Sequence, residues 1–109
     1  MTESLSGVYY IDMEERKINE NAMKELSRTL ASCSDAILIE KFLKSLLTSS
    51  EASGVANRWA LVRLLDAGMS QRNIAKDLGL SLCNITRGSK ELKKEDSPFA
   101  VMIEEYKKL

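Results

Sequence analysis

The chain has 109 residues, the length of one domain, with 16 basic and 16 acidic residues and no histidine. The missing histidine removes the commonest general base and metal ligand, and no nucleophile motif or paired-carboxylate arrangement replaces it, so an enzyme is not expected. With 44% apolar residues, 6% aromatics, five Gly and one Pro, the composition favours an all-helical core over a sheet, and a domain this small gains from burying surface against a second copy.

Residues 1–11 (MTESLSGVYYI) show no helical period and read as a flexible N-terminal arm, followed by a single helical domain over 12–109. Asp12 to Leu30 is rich in helix formers, and Ile18, Ala22, Leu26 and Leu30 recur every four residues as one apolar stripe. Ser32 to Asp35 is a break in which Ser34 or Asp35 can cap the next helix. That helix, Ile37 to Leu47, is apolar around well over half its circumference. Such a helix is buried on several sides, either against another subunit or at the centre of a monomer. Thr48-Ser49-Ser50 ends it, and Ser49 or Ser50 can start the following one.

Glu51 to Ala67 places Val55, Trp59, Val62 and Leu65 on one face, with Leu61 and Leu64 beside it, and Gly68 supplies a left-handed stop. Ser70 can cap a short helix from Gln71 to Leu78, Gly79 a turn, and Ser81 can cap another from Leu82. At the end, Ser97 as N-cap and Pro98 at the first helical position start a helix whose stripe is Phe99, Met102, Ile103 and Tyr106. Cys33 and Cys83 stand far apart with no metal or redox spacing, which makes a reducing cytoplasm the default and leaves no metal site. No apolar run approaches a membrane span, and no secretory signal is visible.

The informative stretch is 70–92. Two short helices joined by a tight Gly-containing turn make a helix-turn-helix, with Ile74, Leu78, Leu80 and Ile85 as the apolar pins and Ala75 small where the helices cross. From Ser70 to Lys94 six basic residues (Arg72, Lys76, Arg87, Lys90, Lys93, Lys94) face two acids (Asp77, Glu91), a local net of +4 on a neutral chain. Such a surface can meet phosphates, or be an ordinary solvated helix face.

The run GMSQRNIAKDLGLSLCNITRGSKEL closely resembles the signature of the Trp repressor family, with SQR, the LG turn and ITRGS as that family has them. Upstream, Leu46-Leu47-Thr48 and Asn57-Arg58-Trp59 resemble its ligand-side segment. The likeness is strong over about Leu43 to Leu92 and weak at the ends. It implies a six-helix intertwined homodimer with one helix-turn-helix per subunit. It also implies an L-tryptophan-activated, sequence-specific repressor of tryptophan biosynthesis or uptake genes, acting on double-stranded operator DNA in the cytoplasm. The alternatives are a helix-turn-helix protein of the same fold without a tryptophan corepressor, and a purely structural dimerisation module.

The resemblance also assigns residues. Arg58 and Arg87 match the two guanidinium walls around the indole, and Arg87 with the Thr48 hydroxyl the partners of the ligand carboxylate. Gly88 matches the position where the indole nears the backbone, and the carbonyls of Ser45 and Leu47 are expected by the ammonium, at a helix end where the dipole is negative. Glu91 departs from the family's small polar residue. It could pair the ammonium, bind Lys94 or Lys90 on its own helix, or signal a different amino-acid ligand. For DNA the matching positions are Gln71 and Arg72 on the first helix and Leu82, Cys83, Asn84 and Thr86 on the second, and Lys76 and Lys90 are expected on phosphates. The spacing of the paired reading helices by one DNA turn, ~34 Å, is a geometry for which the Trp repressor is itself a standard example.

Overall fold

The computed structural model describes residues 8–109, with side chains from Glu14 onward. Six helices follow one another: α1 (Val8–Ser32), α2 (Ala36–Leu46), α3 (Ser49–Asp66), α4 (Gln71–Leu78), α5 (Leu82–Lys93) and α6 (Pro98–Lys107). Among the described residues there is no strand, in line with the expected all-helical class. Helix α1 begins at Val8, four residues before the expected start. No Gly or Pro interrupts 8–11, and residues of middling propensity cost only tenths of a kcal/mol each. The rest of the expected arm, residues 1–7, lies outside the described residues.

The chain divides into two compact units, one ending at Ser45 and the other running Leu46–Leu109. In the first, Asp35 rather than Ser34 caps α2: its Oδ1 accepts the N–H groups of Ile37 (3.1 Å) and Leu38 (3.2 Å). Helix α2 has no buried residue; Ile37, Leu38, Phe42 and Leu46 are 68%, 54%, 39% and 52% exposed. Within its own unit, α2 is therefore not the centre of a core.

The second unit holds the core. Leu61 and Val62 of α3, Ile74 of α4, Ile85 of α5 and Ile103 of α6 are buried against one another. Each contributes about 1.5–3 kcal/mol by leaving water. Trp59, Leu65, Ala75, Leu78, Leu80 and Phe99 pack around them. The expected pins Ile74 and Ile85 are fully buried. The inner face of α3 centres on Leu61 and Val62, whereas Val55 of the expected stripe is 47% exposed.

Local chemistry sets the breaks. Thr48, not Ser49 or Ser50, caps α3: its hydroxyl accepts the Glu51 N–H at 3.1 Å and Glu51 Oε1 accepts the Thr48 N–H at 2.8 Å. Only from Thr48 does a Glu fall three residues on, where it can close a capping box. At the other end of α3, Gly68 has φ 96°, the Gly68 N–H reaches the Leu65 carbonyl and the Met69 N–H the Leu64 carbonyl, both at 3.0 Å. These two bonds are the pair of a Schellman stop.

Ser70, Ser81 and Ser97 cap α4, α5 and α6 as expected. Gly79, at φ 66°, turns the chain from α4, and the Leu80 N–H returns to the Ala75 carbonyl at 3.1 Å. A salt bridge from Lys107 to Asp66 (2.8 Å) fastens α6 to the end of α3.

Candidate ligand cavity and nucleic-acid interface

A cavity of about 480 Å³ lies within the second unit, a size suited to a small organic ligand. Helix α3 contributes Gly54, Asn57, Arg58, Leu61 and Val62, and α5 contributes Asn84, Arg87, Gly88 and Glu91. Leu80 from the turn and Phe99 from α6 complete the lining. The helical period explains the set: 58, 61 and 62 share one face of α3, and 84, 87, 88 and 91 share one face of α5. The result is an apolar floor of Leu61, Val62, Leu80 and Phe99, with a guanidinium from each of two packed helices at the wall.

Gly88 lies buried against α3. A Cβ there would stand 2.9 Å from Leu61 Cδ2 and 3.2 Å from its Cγ. Packing against α3 therefore already demands a glycine, independently of any ligand. Glu91 is half-buried, and its Oε1 accepts a hydrogen bond from Lys94 Nζ at 3.0 Å. Of the open readings for Glu91, the Lys94 pair is the one formed in the chain by itself.

The cavity thus gathers Arg58, Arg87, Gly88 and Glu91 from the expected ligand set. Leu47 and Thr48 are not among its lining residues, and Ser45 belongs to the first unit, in the last turn of α2. The Thr48 hydroxyl oxygen is engaged as the α3 cap, with its proton still free to donate. Asn84, expected among DNA contacts, also lines the cavity. Nothing in the spacing alone distinguishes that role, because position 84 sits at the edge of both faces of α5.

The expected DNA-contacting residues share one property: Gln71, Arg72 and Lys76 of α4, and Leu82, Cys83, Asn84, Thr86 and Lys90 of α5, are all exposed. Leu82, Cys83, Thr86 and Lys90 border a shallow groove together with Arg87, so Arg87 stands between groove and cavity. Thr86 donates its hydroxyl to the Leu82 carbonyl at 2.9 Å, which leaves the oxygen to accept. Among the described residues no group of His, Cys, Asp or Glu could hold a metal ion, and no helix is long and apolar enough to cross a membrane.

The family model described as Trp repressor protein matches residues 21–107, most of the chain and both sides of the cavity. The chain belongs to the Trp repressor family. Among its relatives, the Trp operon repressor homolog of Chlamydia trachomatis serovar D is 45% identical over 65 residues, covering 55% of this chain and 69% of that protein. The Trp operon repressor homolog of Actinobacillus succinogenes is 40% identical over 67 residues (61% and 66%). That of Haemophilus influenzae strain Rd is 37% identical over 68 residues (62% and 67%). No solved structure matches the chain. Membership of the family supports a transcriptional repressor, regulatory rather than catalytic.

Proposed function

We propose that the chain is a sequence-specific DNA-binding repressor of tryptophan biosynthesis or uptake genes, switched on by L-tryptophan and working as a cytoplasmic homodimer. The observation that carries this is the placement of Arg87, which lines the small-molecule cavity on one side and the exposed α5 groove on the other. A ligand held there acts directly on the element that faces DNA.

In this reading α4 and α5 form a helix-turn-helix. The indole lies on the Leu61–Val62 floor between Arg58 and Arg87, where stacking and cation–π attraction contribute on the order of 1–2 kcal/mol per favourable contact. Arg87 pairs the carboxylate, assisted by the Thr48 hydroxyl, and the Ser45 and Leu47 carbonyls at the end of α2 face the ammonium. On the DNA side, Arg72, Lys76 and Lys90 meet phosphates. Gln71, Leu82, Cys83, Asn84 and Thr86 meet base edges, directly or through water. Two copies complete one another through α1, α2, α3 and α6, which makes 12–109 one domain of a dimer. Tryptophan then favours the arrangement in which the two α5 helices stand one DNA turn apart, and it does so only by binding that arrangement better.

Isothermal titration with L-tryptophan, on wild type and Arg87→Ala, tests the reading. Wild type is expected to bind, and the variant to remain a dimer yet lose both tryptophan binding and tryptophan-dependent operator shift. Unchanged affinity in the variant overturns the pocket. A gel shift indifferent to tryptophan points instead to the same fold reading DNA without a corepressor, and no salt-sensitive DNA binding at all points to a dimerisation module.

A further inference from the structure

We propose that Phe99 of α6 is a specificity-determining residue of the cavity, a braced aromatic stop that limits which rings fit, with Trp59 as its positioning residue. The inference rests on the tryptophan reading and adds which ligand rings that reading admits.

At about 480 Å³ the cavity falls in the range that holds drug-sized ligands, so its volume alone does not confine it to one small ring. Selection falls to the walls that cannot yield. Arg58 and Arg87 are exposed and Glu91 is half-buried, so these long side chains can swing aside. Leu61 and Val62 are core residues and form a fixed floor. Phe99 is the one aromatic lining residue among the described residues, and the one that α6 supplies.

Its neighbours hold that ring in place. Phe99 stacks on Trp59, with centroids 6.4 Å and planes 24° apart. Tyr106 meets Trp59 edge-on at 6.1 Å, and the Arg63 guanidinium lies 5.4 Å over the Tyr106 ring. Trp59, Tyr106 and Arg63 do not line the cavity, so the row braces Phe99 without offering the ligand a contact of its own. The backbone is fixed too. Phe99 follows Pro98 in the first turn of α6, where the buried Ser97 hydroxyl accepts the Ala100 N–H at 3.2 Å. The far end of α6 is tied to α3 through Lys107 and Asp66. Turning the Phe99 ring aside would break its stack with Trp59. A ring substituent that reaches Phe99 therefore meets a neighbour that does not give, and overpacking follows.

The test is calorimetry with L-tryptophan and the four L-tryptophans methylated on the benzo ring, on wild type, Phe99→Met and Trp59→Leu, with helix content and molecular mass checked for each. Methionine nearly conserves the apolar volume but is flexible, so the chain should fold while the wall yields. Wild type should bind at least one methylated ligand roughly tenfold or more below L-tryptophan. For that same ligand Phe99→Met should close the gap to within about threefold, while L-tryptophan itself weakens about two- to fivefold through the lost aromatic contact. Trp59→Leu leaves the lining intact and should relax the discrimination in the same direction. Unchanged discrimination there overturns the brace. A merely structural Phe99 would weaken every ligand alike, which overturns the inference, as does wild type that takes all four methylated ligands as readily as L-tryptophan. Those results leave tryptophan binding by wild type intact. Wild type that binds none of the five overturns the tryptophan reading itself, and the inference with it.

Discussion

A methyl group at Gly88 would press into Leu61, itself a core residue only 2% exposed. Gly88→Ala should therefore destabilise the chain by about 1–3 kcal/mol, the usual cost of overpacking, as read by urea unfolding without any ligand present. Pairing it with Leu61→Val should recover part of the loss. Thr48 invites a finer test, because its hydroxyl is already the α3 cap. Thr48→Asp keeps a good cap and should leave unfolding almost unchanged, yet it sets a negative charge where the proposed function puts the ligand carboxylate. Calorimetry should then show weaker tryptophan binding; equal affinity would remove Thr48 from the pocket. The sequence points to Gly88 only through the family likeness, as clearance for an indole. The packing reason depends on the distance between α3 and α5, a tertiary quantity that no local pattern encodes.

At the scale of the element, what is legible in the sequence is what is local. Ser70, Ser81 and Ser97 each sit just before an apolar-periodic run, so their capping follows from neighbours a few residues away. The α3 start needs one more neighbour, Glu51, to choose Thr48 over the two serines after it. The α1 start lies earlier than its pattern indicates, because β-branched and aromatic residues lower helix propensity without forbidding a helix. The orientation of each helix is legible only in part. Ile74 and Ile85 follow from their spacing, but on α3 the buried pair is Leu61 and Val62, packed against Gly88 of α5, while Val55 stays exposed.

Gly79 ends α4 in the left-handed region. Gly79→Ala should cost about 1–2 kcal/mol through that φ alone, and should weaken DNA binding if the register of α5 on α4 slips. Asp66, and after it Glu104, hold the Lys107 ammonium charged to a higher pH than a free lysine. A raised lysine value means that its contribution is complete at neutral pH and fades only as pH rises through and beyond the ordinary lysine range. Lys107 is half-exposed and Asp66 a quarter exposed, so solvent still screens the pair; Lys107→Met should change thermal stability little at pH 7, and the small difference should vanish in strong alkali.

At the scale of the whole molecule, Ile37, Leu38, Phe42 and Leu46 on α2, and separately Val101 and Met102 on α6, are exposed apolar side chains of the kind that the proposed dimer would cover. If folding is coupled to association as proposed, the melting temperature should rise with protein concentration, and Leu38→Asp should shift sedimentation towards a monomer of low stability. A concentration-independent melt would contradict the proposed dimer. DNA binding belongs to this scale too. With Arg72, Lys76 and Lys90 from each of two copies on phosphates, about six contacts give a slope of log affinity against log salt of roughly −5. Lys76→Ala should flatten that slope and weaken all sequences alike, whereas Asn84→Ala should alter which operator is preferred.

Helix α2, with no buried residue, would give the proposed dimer a genetic consequence. If two copies pair through that helix as proposed, products of two alleles cannot be kept apart. A mutant sound in α2 but broken in α5 would be drawn into mixed pairs with its healthy counterpart. One faulty gene copy would then silence a good one, and the inheritance of the defect would be dominant.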